Sequence, residues 1–332
     1  MITEKNHIRT IFAVFSLFAL MFLSQLVSAE TNVKVGLLKF GTVNWELKSM
    51  ISNGFDKDNG INAEIVPYAS GDATKIALQG GEVDVIVSDW LWVSRQRASG
   101  QNLTFVPYSS AVGAIMVPGD SEAKNLGDIK GMKIGVAGGP LDKNWLLLQG
   151  MARQDFDFDL AGENEVVFGA PPLLAEKTRE GELDAMLNFW HFCARLEAVG
   201  FKRLVSGLDA AAALGASGPV SAIGYVFSEE WADKNPEAAA GFVKASRATK
   251  ELLKSSDDEW NRLASEGAIK DKPDALIVLR DRFREGIPSR SIVDEVEDAS
   301  KVYSILAKLG GKKLVGVATE MVEGTYWQNI PE

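Results

Sequence analysis

The chain has 332 residues, 46% of them apolar, a formal charge of −10, one cysteine and two histidines. The negative balance argues against a nucleic-acid partner, and the lone Cys193, with His191 the only histidine beyond residue 29, excludes both an internal disulfide and a structural metal site built from those residues. Stability must come from apolar burial, and a chain of this length favours two cores over one because single cores stop growing near ~250–300 residues.

The first residues read as an address. Lys5 and Arg9 precede an apolar run from Ile11 to Leu23 that ends in Val27-Ser28-Ala29, the pattern of a secretory signal peptide over residues 1–29. The run is shorter than the ~20 residues of a membrane span, no later stretch could cross a bilayer, and no cysteine follows the run to accept a lipid. Cleavage after Ala29 removes Lys5, Arg9 and Glu4, which leaves 303 residues with a formal charge of −11. A freely soluble, exported chain is the expectation.

A repeat follows at an offset of one hundred. Gly81-Glu82-Val83-Asp84-Val85-Ile86-Val87-Ser88-Asp89-Trp90 and Gly181-Glu182-Leu183-Asp184-Ala185-Met186-Leu187-Asn188-Phe189-Trp190 coincide at Gly, Glu, Asp and Trp, and the same offset relates Asn44-Trp45-Glu46-Leu47 to Asn144-Trp145-Leu146-Leu147. One unit is used twice. Each copy predicts a strand (Val33 to Leu38, Lys133 to Ala137), a helix opening near Asn44 or Asp142, a second strand (Ala63 to Val66, Glu165 to Phe168), a helix, and a strand carrying Val85 or Met186. Such alternation predicts an α/β fold with mainly parallel sheets flanked by helices.

Beyond the second copy, Val220 to Phe227 reads as a strand, and amphipathic helices are predicted over Pro236 to Leu253, Asp257 to Ala264, Pro273 to Phe283 and Ile292 to Leu309. These helices are expected to cover the first lobe. The chain would then cross near Ala111 to Val117 and return near Ser217 to Ala222, giving lobe 1 as residues 30–114 with 219–332, lobe 2 as residues 115–218, and a hinge at the crossings.

Ligands of open parallel sheets sit outside the carboxyl ends of the strands. That rule selects Lys39 to Trp45, Ser88 to Trp92, Gly138 to Trp145 and Asn188 to His191, which hold five of the eight tryptophans. Trp45, Trp90, Trp145 and Trp190 occupy equivalent points of the repeat and are expected to surround one cleft, their faces suited to cations and planar rings. Asn44, Ser88, Asp89, Asp142, Asn144 and Asn188 would supply placed polar groups, with helix capping the alternative for Asp142 and Asn44. The Gly138-Gly139-Pro140 turn could offer backbone N–H groups to an anion, an idea that Asp142 at the positive end of the next helix opposes.

Gly80-Gly81-Glu82-Val83-Asp84, Asn125-Leu126-Gly127-Asp128-Ile129-Lys130-Gly131-Met132-Lys133-Ile134-Gly135-Val136 and Glu180-Gly181-Glu182-Leu183-Asp184-Ala185 together resemble the substrate-binding proteins of aliphatic-sulfonate, taurine and nitrate ABC importers, which share a domain with thiamine-pyrimidine-binding proteins. The likeness spans residues 33–245. It implies a two-lobed type II periplasmic-binding-protein fold and delivery of a small solute to an inner-membrane ABC permease and its ATPase; with the signal peptide, a periplasmic monomer without a cofactor is the expectation. Its ligand-contacting segments match Phe40-Gly41-Thr42, Ser88-Asp89-Trp90, Gly138-Gly139-Pro140 and Phe189-Trp190. Where anion-binding members often carry Ser or Thr after the glycine turn, this chain has Pro140-Leu141-Asp142.

With no arginine in the four segments, the expected ligand is cationic or a planar nitrogenous ring. The alternatives are a sulfonate, taurine or nitrate anion, and a sensory or accessory receptor role. An enzyme is least favoured, since His191 and Cys193 point apart at i, i+2 of a helix. Fractionation of an expressing Gram-negative cell should release, without detergent, a periplasmic chain beginning near Glu30; full-length protein in the membrane pellet would refute the export reading.

Overall fold

Alternating apolar and turn-forming segments fold here into two five-stranded sheets. The computed structural model describes residues 30–331, so the segment read as a signal peptide lies outside the described residues. Strands β1 (Thr31–Leu38), β2 (Ile61–Tyr68), β3 (Val85–Ser88), β4 (Leu103–Ser109) and β10 (Ile223–Ser228) form one sheet in the order β2-β1-β3-β10-β4. Strands β5 (Ala114–Val117), β6 (Lys133–Ala137), β7 (Glu165–Gly169), β8 (Ala185–Asn188) and β9 (Lys202–Ser206) form the other in the order β7-β6-β8-β5-β9. Three strands of each sheet pair in parallel, while β10 and β5 run antiparallel to both of their neighbours. In each sheet, the antiparallel strand is the one by which the chain arrives from the other lobe.

The repeat is visible in the helices as well. Val43–Ser52 corresponds to Lys143–Phe156, Gly71–Gln79 to Pro171–Arg179, and Trp90–Ala98 to Trp190–Glu197. The Gly-Glu-x-Asp motif is a joint of the fold. Gly81 (φ 71°) and Gly181 (φ 75°) take left-handed conformations just after a helix, where glycine carries no Cβ penalty. Three residues on, the Asp84 carboxylate accepts the backbone N–H of Lys34 and that of Asp184 accepts Lys133, each at 2.8 Å, tying the third strand to the first. Val85, Ile86, Ala185 and Met186 are fully buried, as strands covered on both faces require.

The helical tail departs from the expectation that it covers the first lobe alone. Helix Pro236–Ser255 does lie against the first lobe, packing on Val43–Ser52 and on β1 and β2. Helix Pro273–Glu285, however, packs on Trp190–Glu197 of the second lobe, where Arg282 donates through Nε and Nη2 to Glu197 Oε2 at 2.9 and 2.7 Å. Helix Ile292–Val315 packs on both Trp90–Ala98 and Lys143–Phe156. Gly150 eases that second contact, since a Cβ there would stand a tight 3.1 Å from Leu214 and 3.2 Å from Leu309. Amphipathic periodicity reports that a helix has a buried face; it does not report which lobe receives it. The same helix breaks at Gly311 (φ 58°), close to the Leu309 end that the sequence predicts.

Beneath helix Pro236–Ser255, the first lobe buries an ion pair. Glu46, fully buried, meets Lys250 at 2.7 Å and accepts hydrogen bonds from Tyr225 (2.9 Å) and Ser246 (2.6 Å), while the ammonium lies 4.3 Å from the Tyr108 ring centroid. Removing one partner strands the other charge in apolar surroundings. Lys250→Met should therefore lower unfolding free energy by about 3–5 kcal/mol, with much of the loss recovered by adding Glu46→Leu; urea titrations of the two variants check it.

Candidate ligand cleft

The carboxyl ends of β1 and β3 and the helix starts that follow β6 and β8 converge on a cavity of about 320 Å³, near the lower end for small-ligand sites. The first lobe contributes Leu38, Gly41, Thr42, Asn44, Thr74 and Val87, and the second contributes Asp142, Lys143, Asn144, Phe189, Trp190 and His191. Both crossings also line it, through Ala111, Val112 and Gly113 on the way out and Ala222 and Ile223 on the return. A second cavity of about 280 Å³ touches Ala111, Val112 and Trp190 but otherwise lies between β9 and the end of helix Pro273–Glu285, away from the strand ends where the first lobe meets the second.

Of the residues singled out from sequence, Thr42, Asn44, Asp142, Asn144, Phe189 and Trp190 are brought together on this wall. Asn44 donates to the carbonyls of Leu38 and Gly41, both at 2.8 Å, so it braces the turn after β1 and is not a helix cap. The four indoles do not converge. Trp45 is buried in the first lobe's core against Trp260 and donates to Ala268 O at 3.2 Å. Trp90 is 3% exposed and donates to Ser221 O at 2.9 Å, and Trp145 is 1% exposed within the other core. Only Trp190 both reaches the cavity and packs edge-on against Trp45, with centroids 6.1 Å apart. The indole N–H groups of Trp45 and Trp90 each find a backbone carbonyl within the scaffold, as buried indoles usually do.

The remaining candidates lie off the cavity wall. Asn188 is buried, donating to Pro171 O at 2.8 Å while its own oxygen accepts the Phe189 N–H. Ser88 is buried at the end of β3, Phe40 projects into solvent, and Gly138 (φ 84°) and Gly139 (φ 82°) form the turn before helix Lys143–Phe156. Asp89 caps helix Trp90–Ala98 by accepting the Trp92 N–H at 2.9 Å, and Asp142 caps Lys143–Phe156 through Trp145 N–H at 3.1 Å.

Electrostatics separate the two carboxylates. Burial works to raise both, and in Asp142 it prevails over the N–H groups of Trp145 and Asn144 and the Lys143 charge, so its carboxyl titrates above the usual range. At Asp89 the same burial is overcome by Lys143, 3.1 Å away, and by the Trp92 N–H, and the carboxyl titrates below that range. Sequence reasoning gave His191 no binding role. Its Nδ1 is buried without a hydrogen-bond partner, and burial followed by the neighbouring Arg195 charge lowers the imidazole to about 4, with Asp271 opposing. A lone histidine has no periodic partner to betray it; the available signal was its place directly after the repeated tryptophan.

Because the unfolded chain binds a proton at His191 near pH 6.5 while the folded chain does not until about pH 4, stability at this site is complete above pH 6.5 and is lost as pH falls toward 4. The loss should reach about 2–3 kcal/mol. Urea titrations at pH 7 and pH 4.5 should show a smaller acid penalty for His191→Gln than for wild type, and equal penalties would mean the imidazole is not held neutral.

The family model described as NMT1/THI5 like matches residues 51–259. No curated protein matches the chain in sequence. Among solved structures, the periplasmic aliphatic sulphonate binding protein SsuA from Escherichia coli superposes with a TM-score of 0.69 at 18% identity, covering 90% of this chain and 98% of that one. The alkanesulfonate-binding protein SsuA from Xanthomonas axonopodis pv. citri, bound to MOPS, gives 0.64 at 15% identity over 90% and 98%. The periplasmic nitrate-binding protein NrtA from Synechocystis PCC 6803 gives 0.54 at 11% identity over 77% and 69%. The likeness is one of fold: two α/β lobes of the periplasmic-binding-protein type, as the motifs implied.

Proposed function

The chain belongs to the NMT1/THI5-like family, and from that premise we propose that it is the periplasmic solute receptor of an ABC importer, closing two lobes on a small organic molecule and presenting it to a permease. The observation that carries this reading is the cavity itself, whose wall includes both lobes and both crossings. A site so lined changes shape whenever the lobes rotate about residues 110–113 and 214–222, and a ligand that touches both lobes favours the closed form. The lobes proposed to move are residues 30–114 with 219–332 and residues 115–218. Binding is favoured over chemistry because burial pushes the Cys193 thiol up to about 11, leaving it a poor nucleophile.

The ligand class we assign is a small planar nitrogenous molecule. Leu38, Val43, Val87, Val112, Phe189, Trp190 and Ile223 give the cavity a largely apolar wall, and the carboxylate of Asp142 and the neutral imidazole of His191 give it hydrogen-bonding groups. Its one lysine, Lys143, is already paired with Asp89. The second reading is an anion, favoured by Lys143 and Asn144 at the start of helix Lys143–Phe156 and by the sulfonate- and nitrate-binding proteins of like fold.

Mass spectrometry of small molecules retained on purified protein identifies the ligand. Phe189→Ala, at a 39% exposed ring on the cavity wall, should weaken its binding by about 1 kcal/mol, roughly fivefold, and saturating ligand should reduce the radius of gyration. Full affinity in Phe189→Ala together with an unchanged radius would refute the site, and taurine or nitrate binding tightest would replace the nitrogenous ligand by the anionic one.

A further inference from the structure

Three ion pairs join the lobes among the described residues: Arg195–Asp271, Arg282–Glu197 and Asp89–Lys143. The first two lie together where the segment Asp271 to Glu285 packs on helix Trp190–Glu197. The third stands apart from them. Asp89 follows β3 of the first lobe, Lys143 opens the helix after β6 of the second, and Lys143 is also part of the cavity wall. Their side chains are 23% and 31% exposed and approach to 3.1 Å.

The two oxygens of Asp89 have separate duties. Oδ1 accepts the Trp92 N–H at 2.9 Å, and Oδ2 faces Lys143. The other charged groups nearby are Asp142, engaged as a helix cap, and Lys75, whose ammonium lies 5.2 Å from the Trp92 ring centroid. Neither replaces the Asp89–Lys143 contact, so separating the lobes here exposes two charges to water and closing them reunites the pair.

We propose that Asp89 and Lys143 form a latch that holds the lobes together while the cavity is empty and that selects ligands by charge. An anionic ligand in the cavity competes with Asp89 for Lys143, the member on its wall, and strips the Asp89 carboxylate of its partner. A ligand that is uncharged, or that carries both signs, imposes no such penalty. The selection rests on the receptor reading above, whereas the latch is testable without any ligand.

Asp89→Asn and Lys143→Met isolate the charges, because asparagine caps a helix as well as aspartate does. Cysteines at the exposed Ile76 and Leu173, on opposite lobes, would carry spin labels, the native Cys193 being buried. In ligand-free protein at low salt, each variant should raise the population with separated labels by about two- to fivefold, the double variant should equal the single ones, and high salt should reproduce the change in wild type. Unchanged distance distributions in both variants would overturn the latch. For selection, the probe is sodium methanesulfonate followed by calorimetry: Asp89→Asn, which frees Lys143 on the cavity wall, should bind it at least about threefold more tightly than wild type. Equal responses of the two proteins, including none, would overturn the charge selection while leaving the receptor reading to its own test.

Discussion

Each sheet closes on the strand that follows a crossing of the chain between the lobes, and the rest of the architecture depends on these two crossings. β5 enters between β8 and β9, and β10 enters between β3 and β4, each antiparallel to its neighbours. One position of each entering segment passes so close to its host that only glycine fits. A Cβ at Gly113 would lie 2.0 Å from Asn188 O, and one at Gly224 would lie 2.3 Å from Val106 O. Since the crossings leave and return beside the carboxyl ends of both sheets, they lie in the cavity wall. The crossings and the cavity wall thus share the same few residues.

Much of this architecture was legible in the sequence because its signals are local. The paired Gly-Glu-x-Asp motifs mark the joints before β3 and β8, and Pro236, Asp257, Pro273 and Ile292 mark helix starts that the structure keeps. The cavity was less legible. The offset of one hundred identifies Trp45 with Trp145 and Trp90 with Trp190, but equivalence in a repeat does not fix which side of the scaffold a ring faces. Trp90 turns toward Ser221 O, a group that arrives with the return crossing from far along the chain. The tail helices misled for a related reason: Gly150 opens a seat for Leu309 that periodicity within either helix cannot reveal.

Charge is handled differently in the scaffold and in the cleft. Glu46 and Lys250 neutralise each other in the first core, and Arg290, with the Ser217 N–H and Lys301, holds the Asp298 carboxyl at about 2 despite burial. Such buried charges are satisfied by partners within the protein. The cleft retains groups with capacity to spare: an imidazole nitrogen without a partner, and a carboxyl whose burial outweighs its hydrogen bonds. Perturbed groups gathered in a concave site are a physical signature of binding, and His191 and Asp142 both stand on the cavity wall.

The two sheets also close over unequal lengths of chain. All five strands of the second sheet run consecutively from Ala114 to Ser206, whereas the first sheet spans the interval from Thr31 to Ser228 and needs Tyr225 beside Val87 before its middle is filled. Loop-closure entropy and contact order both rise with that separation. The first lobe therefore begins at the amino terminus yet cannot close its sheet until the second has been threaded past it, and its assembly bears the slower, longer-range step.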